Sequence, residues 1–343
     1  MSLLYATHAR IHLGNIRDNL RAIRAAVGAE RKVLVAVKAN GYGHGAVAVS
    51  RMAEATGTAD WLGVATVPEG IELREAGLRL PILKLGPTFP AEMEAAVAAG
   101  ITLAICSREE ADAVAEAARA AGRPASVHLK VDTGMGRVGV TQEEAPALAL
   151  HLSALPGVEL GGVFTHLPVS DAADPAWTRE QISRFRAVAA DVQEAAGRKL
   201  LVHGANSGAV LGHESVWLDM VRPGIMVYGF RPDPATPDTI PLKPGMSLLT
   251  RISFLKKVSA GTSIGYGRTW VASRDTFIAT IPAGYADGFN RLFSNRGRVL
   301  IGGRSYPLVG RVCMDQSMVD LGEETDVAVG DEVVLIGRSG EAE

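Results

Sequence analysis

The sequence is poor in several things at once. Of 343 residues only two are cysteines, Cys106 and Cys313, far apart and outside any CxxC or CxxH pattern. That argues against a disulfide-built scaffold or a thiolate zinc site, so no metal is expected, and a reducing, cytoplasmic setting fits. Net charge is scarce too: 35 basic against 37 acidic side chains leave a formal charge of -2. With no long basic run, nucleic acid and anionic membrane surfaces are poor partners. No apolar run reaches the roughly 18 residues of a membrane span. The opening MSLLYATHARIH lacks the charged head and apolar centre of a secretory signal. Aromatic residues make up only 5% of the chain.

Glycine, by contrast, is abundant at 38 residues, and hydrophobic residues reach 47% against 21% charged. This is the balance of a folded chain, not a disordered one. The length allows about two domains. Eight short apolar or β-branched runs follow one another: 33–37, 61–66, 82–86, 101–106, 126–132, 158–166, 200–205 and 221–229. Most are separated by Ala-rich amphipathic stretches, and Gly77, Gly100 and Gly122 stand where helices should stop. Eight repeats of strand then helix predict a (β/α)8 TIM-type barrel. A doubly wound open sheet would offer a GxGxxG turn after its first strand, and that turn is absent. The stretch 231–245 carries five prolines and reads as a linker. Beyond it come β-rich runs with tight turns and no long helical pattern. The predicted organisation is therefore a barrel over residues 1–232 and a smaller, mostly β domain over 233–343.

Barrel chemistry sits at the carboxyl ends of the strands. There the sequence places Lys38, then Asp132 and a Gly-rich loop carrying Arg137, then His166, Asn206 and Ser207, and finally Arg222, Gly224 and Ile225. Each taken singly has a plain reading as a cap or a loop residue. Five sets at one end of one barrel are harder to explain that way. Lys38 says most: an amine at the end of an apolar strand is desolvated, loses its proton readily and can form a Schiff base. An aldehyde cofactor such as pyridoxal phosphate would also need an anion cradle. The hydroxyls of Tyr42 and Ser207 and the backbone of 205–208 and 223–225 could supply one.

At this point the chain resembles the alanine racemase family. AVKANGYGHG (36–45), KVDTGMGRVG (130–139), HGANSGA (203–209), VRPGIMVYG (221–229), SIGYGRTW (263–270), GYADGFNR (284–291) and GRVCMDQSMVD (310–320) match its blocks in order and span almost the whole chain. The resemblance implies a pyridoxal 5'-phosphate barrel joined to a β-domain, in a homodimer whose sites are shared between subunits. It implies that Lys38 carries the cofactor and acts as one acid/base, while Tyr266 from the other subunit acts on the opposite face of the substrate. Arg222 would face the pyridine nitrogen, supported by His203. Tyr42, Ser207, Gly224 and Ile225 would bind the phosphate, with Asn206 among the cofactor contacts. Arg137 would lie near the ring and the substrate carboxylate, and His166 would line the site and help tune Tyr266. Met314 and Asp315 would meet the substrate end, and Tyr285 would guard the entrance. Lys130 matches a position that is carbamylated in many relatives, where it holds the arginine corresponding to Arg137.

The implied reaction interconverts L- and D-alanine by two-base proton transfer, supplying D-alanine for bacterial peptidoglycan. Alternatives are a serine or broad-specificity racemase, a decarboxylase on the same barrel, and a non-catalytic pyridoxal-phosphate-binding protein. The SIGYGRTW block argues against the decarboxylase, and the β-domain carrying Tyr266 argues against the non-catalytic protein. Family members usually continue past DEVVLIG into a further helix and strand with another phosphate-contacting tyrosine. Nothing in this chain matches that tyrosine, so the β-domain is expected to be incomplete at its carboxyl end.

Overall fold

A computed structural model describes residues 4–340 and 342 of the chain. Eight parallel strands close a barrel: β2 (Lys32–Ala36), β3 (Trp61–Val64), β4 (Ile82–Lys84), β5 (Ile101–Ile105), β6 (Ala125–Lys130), β7 (Val158–Phe164), β8 (Leu201–His203) and β9 (Met220–Val221). All eight lie within or against the predicted runs and in the predicted order. The eighth is the shortest. Only Met220 and Val221 are strand, and the apolar IMVY that follows coils into a 3-10 turn over Ile225–Tyr228. An apolar run alone does not separate a buried strand from a buried turn.

The barrel is a packed core. Leu34, Leu83 and Met220, from β2, β4 and β9, meet inside it, with Trp61, Leu85 and Leu201 against them. The outer helices end as their glycines dictate. Gly77, Gly100 and Gly122 follow the helices Val67–Glu75, Pro90–Ala98 and Arg108–Ala121 with φ of 85°, 65° and 64°. That left-handed conformation costs a glycine nothing.

The remaining strands form a second compact unit. β1 (His8–Ile11), β10 (Met246–Arg251), β11 (Phe254–Val258), β14 (Thr276–Ile281), β15 (Arg298–Ile301), β16 (Arg304–Val309), β17 (Ser317–Gly322) and β18 (Glu332–Ile336) make an eight-stranded sheet, ordered β1-β10-β18-β15-β16-β17-β14-β11. β12 (Ser263–Ile264) and β13 (Trp270–Val271) form a separate hairpin. Every pairing in this unit is antiparallel. Its core gathers residues such as Ile281, Phe289, Val299, Val319 and Val333.

The units divide between Gly245 and Met246, and the described residues up to His12 belong with the second. Two local facts explain this division. β1 pairs with β10, from His8↔Leu249 to Ile11↔Met246. The proline-rich stretch is stitched to the barrel: the buried Asn19 amide donates to the carbonyls of Val227 and Lys243, and its oxygen accepts from the Lys243 N–H. No helix among the described residues is long and apolar enough to cross a membrane.

Candidate active site

The cavity at the carboxyl ends of the barrel strands measures about 220 Å³. Lys38, Tyr42, Lys130, Arg137 and His166 line it, and so do Asn206, Ser207, Arg222, Gly224 and Ile225. Ten residues chosen from the sequence thus meet around one hollow.

Lys38 leaves β2 into an unusual turn. Ala39, Asn40, Gly41 and Tyr42 have φ of 52°, 52°, 61° and 54°, one turn of left-handed helix. For Ala39 and Tyr42 this costs about 1–2 kcal/mol each, and for Asn40 less. Neighbours hold the turn in place. The Ala39 N–H donates to Glu69 Oε1 at 2.6 Å, and Asn40 Oδ1 accepts from the Ala46 N–H at 2.9 Å. The Tyr42 ring stacks on Tyr228, whose hydroxyl donates to the Ala36 carbonyl. Glu69 has a second task, because with Thr66 it forms the capping box of the helix Val67–Glu75. Strain concentrated at one lysine is what a site with a fixed geometry looks like.

Burial lowers the Lys38 ammonium from its ordinary value, Arg137 and Arg222 lower it further, and Glu69 opposes them. The free amine is thereby favoured as a nucleophile. Burial likewise pulls Lys130 down to about 8, helped chiefly by Arg222. Its ammonium donates to the Leu85 carbonyl and sits 4.7 Å from the Phe164 ring centre.

Arg222 is 6% exposed and lies at the centre of the polar floor. Its guanidinium donates to His203 Nδ1 at 2.8 Å and to the Thr165 carbonyl at 2.7 Å, and His166 Nδ1 lies at 3.4 Å. Burial lowers its pKa to about 9, so it is still charged at neutral pH. Burial, reinforced by Arg222, brings His166 down to about 3 and His203 well below its usual range. Both rings are neutral acceptors beside a cation.

Arg137 is presented by a loop that the sequence marked only by its glycines. Asp132 Oδ1 accepts the N–H groups of Gly134, Met135 and Gly136 at 2.9, 2.9 and 3.1 Å. Burial works against the Asp132 carboxylate, but the backbone donors outweigh it and hold the pKa below the ordinary range. On the other side, Ser207 Oγ accepts from the Gly224 N–H at 2.9 Å, and a Cβ on Gly224 would stand 2.6 Å from the Tyr42 hydroxyl oxygen. Asn206 caps the short helix Ser207–Gly212 through its side-chain oxygen. Among the residues missed in the sequence are Glu69, which holds the turn after Lys38, and Ser170, which lines the cavity and donates to Asn206 Oδ1. The TxxE spacing of Thr66 and Glu69 was the available signal for the first, and the second carried none.

Tyr266, Tyr285, Met314 and Asp315 belong to the second unit and surround an open depression there of about 750 Å³. Tyr266 is 71% exposed, Met314 58% and Tyr285 45%. Two loops are zipped together beneath them: Tyr285 N–H donates to the Cys313 carbonyl and Ala286 N–H to the Met314 carbonyl. Asp287 accepts from the Gly284 N–H, so it is a turn-builder. Arg268 Nε donates to Ser263 Oγ.

Fold and site together define a TIM-type barrel carrying a lysine-centred cationic cavity, followed by an antiparallel β unit. Comparison with known proteins narrows this class. A family model described as the alanine racemase N-terminal domain matches residues 11–232, and one described as the alanine racemase C-terminal domain matches residues 245–343. The alanine racemase of Cutibacterium acnes is 51% identical over 332 residues, which is 96% of this chain and 88% of that protein. That of Chlorobaculum tepidum is 46% identical, covering 97% and 88%. Among solved structures, the alanine racemase of Clostridium difficile 630 superposes with a TM-score of 0.94 at 38% identity, over 99% of this chain and 89% of that one. The alanine racemase of Streptomyces lavendulae gives 0.93 at 37%, over 100% and 90%. This chain belongs to the alanine racemase family.

Proposed function

We propose that the chain interconverts L- and D-alanine with pyridoxal 5'-phosphate as cofactor. The barrel cavity carries this reading: a desolvated amine, a buried guanidinium and a set of neutral hydroxyl and backbone groups line one hollow. The donor set suits the cofactor. Lys38 supplies the amine that an aldehyde needs. Tyr42 and Ser207 supply hydroxyls for a phosphate, and the missing Cβ of Gly224 leaves the backbone open to it. Burial raises the Tyr42 pKa, so its hydroxyl stays a donor. Arg222 would face the pyridine nitrogen and keep it unprotonated, since two like charges repel. That restraint should suppress side reactions such as transamination.

The bound cofactor supplies an electron-accepting ring that acidifies the Cα–H of the amino acid. The protein supplies the proton handling. Lys38 Nζ holds or takes the proton on one face. Tyr266 of a second copy of the chain acts on the other face through its hydroxyl. Arg137 and Met314 with Asp315 would bind the substrate ends, Tyr285 would guard the entrance, and His166 would line the site and help tune Tyr266. Lys130 would hold Arg137 in place, and its lowered pKa suits it to carbamylation. His203 would support Arg222. The exposed Tyr266, Tyr285 and Met314 support a homodimer that covers them. A cytoplasmic setting and a role in supplying D-alanine for peptidoglycan go with the family.

The test is to incubate purified chain and pyridoxal phosphate with L-alanine in D2O, with L-serine in parallel. Deuterium at Cα together with D-alanine is the expected result. Cofactor absorbance without exchange would reject racemisation. Equal turnover of serine would favour a broad-specificity racemase, because one hydroxyl in a small pocket changes selectivity by only about 1–3 kcal/mol.

A further inference from the structure

Arg222 and His203 are the upper two members of a longer chain of groups. His203 Nε2 lies 2.9 Å from Nδ1 of His128, which is 1% exposed and sits on β6 inside the barrel. Arg222, His203 and His128 thus form a line of two hydrogen bonds leading away from the cavity.

We propose that His128 is a positioning residue: it accepts the Nε2–H of His203 and, with Arg222 holding Nδ1, pins the ring that orders the guanidinium. The direction of every bond is forced. A guanidinium only donates, so His203 Nδ1 must be bare. The one proton of the neutral ring is then on Nε2, pointing at His128. His128 must in turn have a bare Nδ1 and carry its own proton on Nε2. Moving either imidazole proton to the other nitrogen sets two N–H groups head to head. Among the described residues, no carboxylate hydrogen-bonds to any of the three groups, so the charge on Arg222 is ordered without being neutralised.

Independent features of the fold make room for this line. The β6–β7 ladder shifts register between Val127 and His128, so that Val127 faces Leu160 while His128 faces Gly162. Such a bulge re-aims a side chain. A Cβ on Gly162 would lie 2.7 Å from both Cε1 and Nδ1 of His128. The adjacent glycine therefore clears the slot that the ring fills. Phe164 stacks on His203 with centroids 4.8 Å apart and planes 4° apart, and Trp61 packs 5.3 Å from His128. Both imidazoles are held against rotation.

The catalytic consequence rests on the role proposed above for Arg222; the tautomer assignment does not. The experiment is 15N NMR of the histidine rings in the purified full chain, without substrate, alongside racemase kinetics for His128→Leu and His128→Asn. Wild type should show His203 protonated on Nε2 alone, with that N–H carrying the downfield proton shift of a hydrogen bond. His128→Leu removes the acceptor, so that downfield shift should be lost, although Arg222 still keeps Nδ1 bare. kcat/KM should fall about tenfold, the scale of one lost hydrogen bond. His128→Asn places an oxygen where Nδ1 was and should restore both, with kcat/KM within about threefold of wild type. A His203 proton on Nδ1 in wild type overturns the proposal, whether or not the variants fold. So does a His128→Leu chain whose His203 Nε2–H keeps its wild-type shift. Loss of the downfield shift in His128→Leu, regained in His128→Asn, supports it even if wild type makes no D-alanine, a result that would count against the racemase reading alone.

Discussion

The barrel and the β unit hold their chemistry-bearing residues in opposite ways. In the barrel, Lys130, His203, Ser207 and Arg222 are all buried, and ring stacking and hydrogen bonds lock the floor of the cavity. Burial displaces the pKa of nearly every ionisable group on that floor. In the β unit, Tyr266, Tyr285 and Met314 stand exposed on short loops. A preorganised cavity can hold a ligand with what it has. An exposed phenol on a short turn has to be given a substrate. On the function proposed above, the difference would divide the labour: the barrel would bind and activate, and the β unit would offer groups for a site that another copy completes.

The predictions test that division, the largest effect first. Lys38→Ala should lower racemisation by roughly 10⁴-fold or more and abolish the absorbance of lysine-bound cofactor. A band surviving dialysis would move the attachment elsewhere. Tyr266→Phe should cost roughly 10²–10⁴-fold in kcat and leave cofactor affinity unchanged, as measured by fluorescence titration. Weakened cofactor binding in that variant would blur the line between the two units.

The third prediction concerns the barrel floor and pH. His128 and His166 titrate near 3 in the folded chain, and His203 titrates well below 6.5. Burial is the main cause in each, with Arg222 adding to it. The unfolded chain therefore binds more protons than the native one between pH 6.5 and about 3. Stability is whole above 6.5 and falls as pH drops through that window, by up to about 1.4 kcal/mol per pH unit for each histidine. Urea titrations across this range should show the decline, and His128→Asn should flatten it by one proton. An unaltered slope would mean that His128 is not held neutral.

The smallest effect is in the left-handed turn. Ala39→Gly relieves one strained residue but loosens the unfolded chain, for a net gain of about 1 kcal/mol or less in urea unfolding. A loss of stability would show that the turn carries no strain at Ala39.

Much of this was legible in the sequence. Alternating apolar runs and helix-stopping glycines gave all eight barrel strands in order, because burial and turn chemistry are local signals. Lys38, Arg137, His166, Ser207 and Arg222 were legible because barrel strands all point their carboxyl ends the same way, whereas Lys130 came from the family resemblance. β1 was not, since a four-residue strand whose partner lies some 240 residues away carries no local mark. The left-handed turn was hidden because Ala39 and Tyr42 adopt it against their own preference, in a turn held by Glu69 and Ala46. His128 was hidden because its partner, His203, is 75 residues away and meets it only when the barrel closes.

The central claim is that one copy's Lys38 and another copy's Tyr266 serve the same alanine. Mixing the inactive Lys38→Ala and Tyr266→Phe chains after reversible dissociation tests it directly. Random pairing leaves about a quarter of the sites with both native groups, so racemase activity should return to about a quarter of wild type. A mixture no more active than its two components would contradict the account.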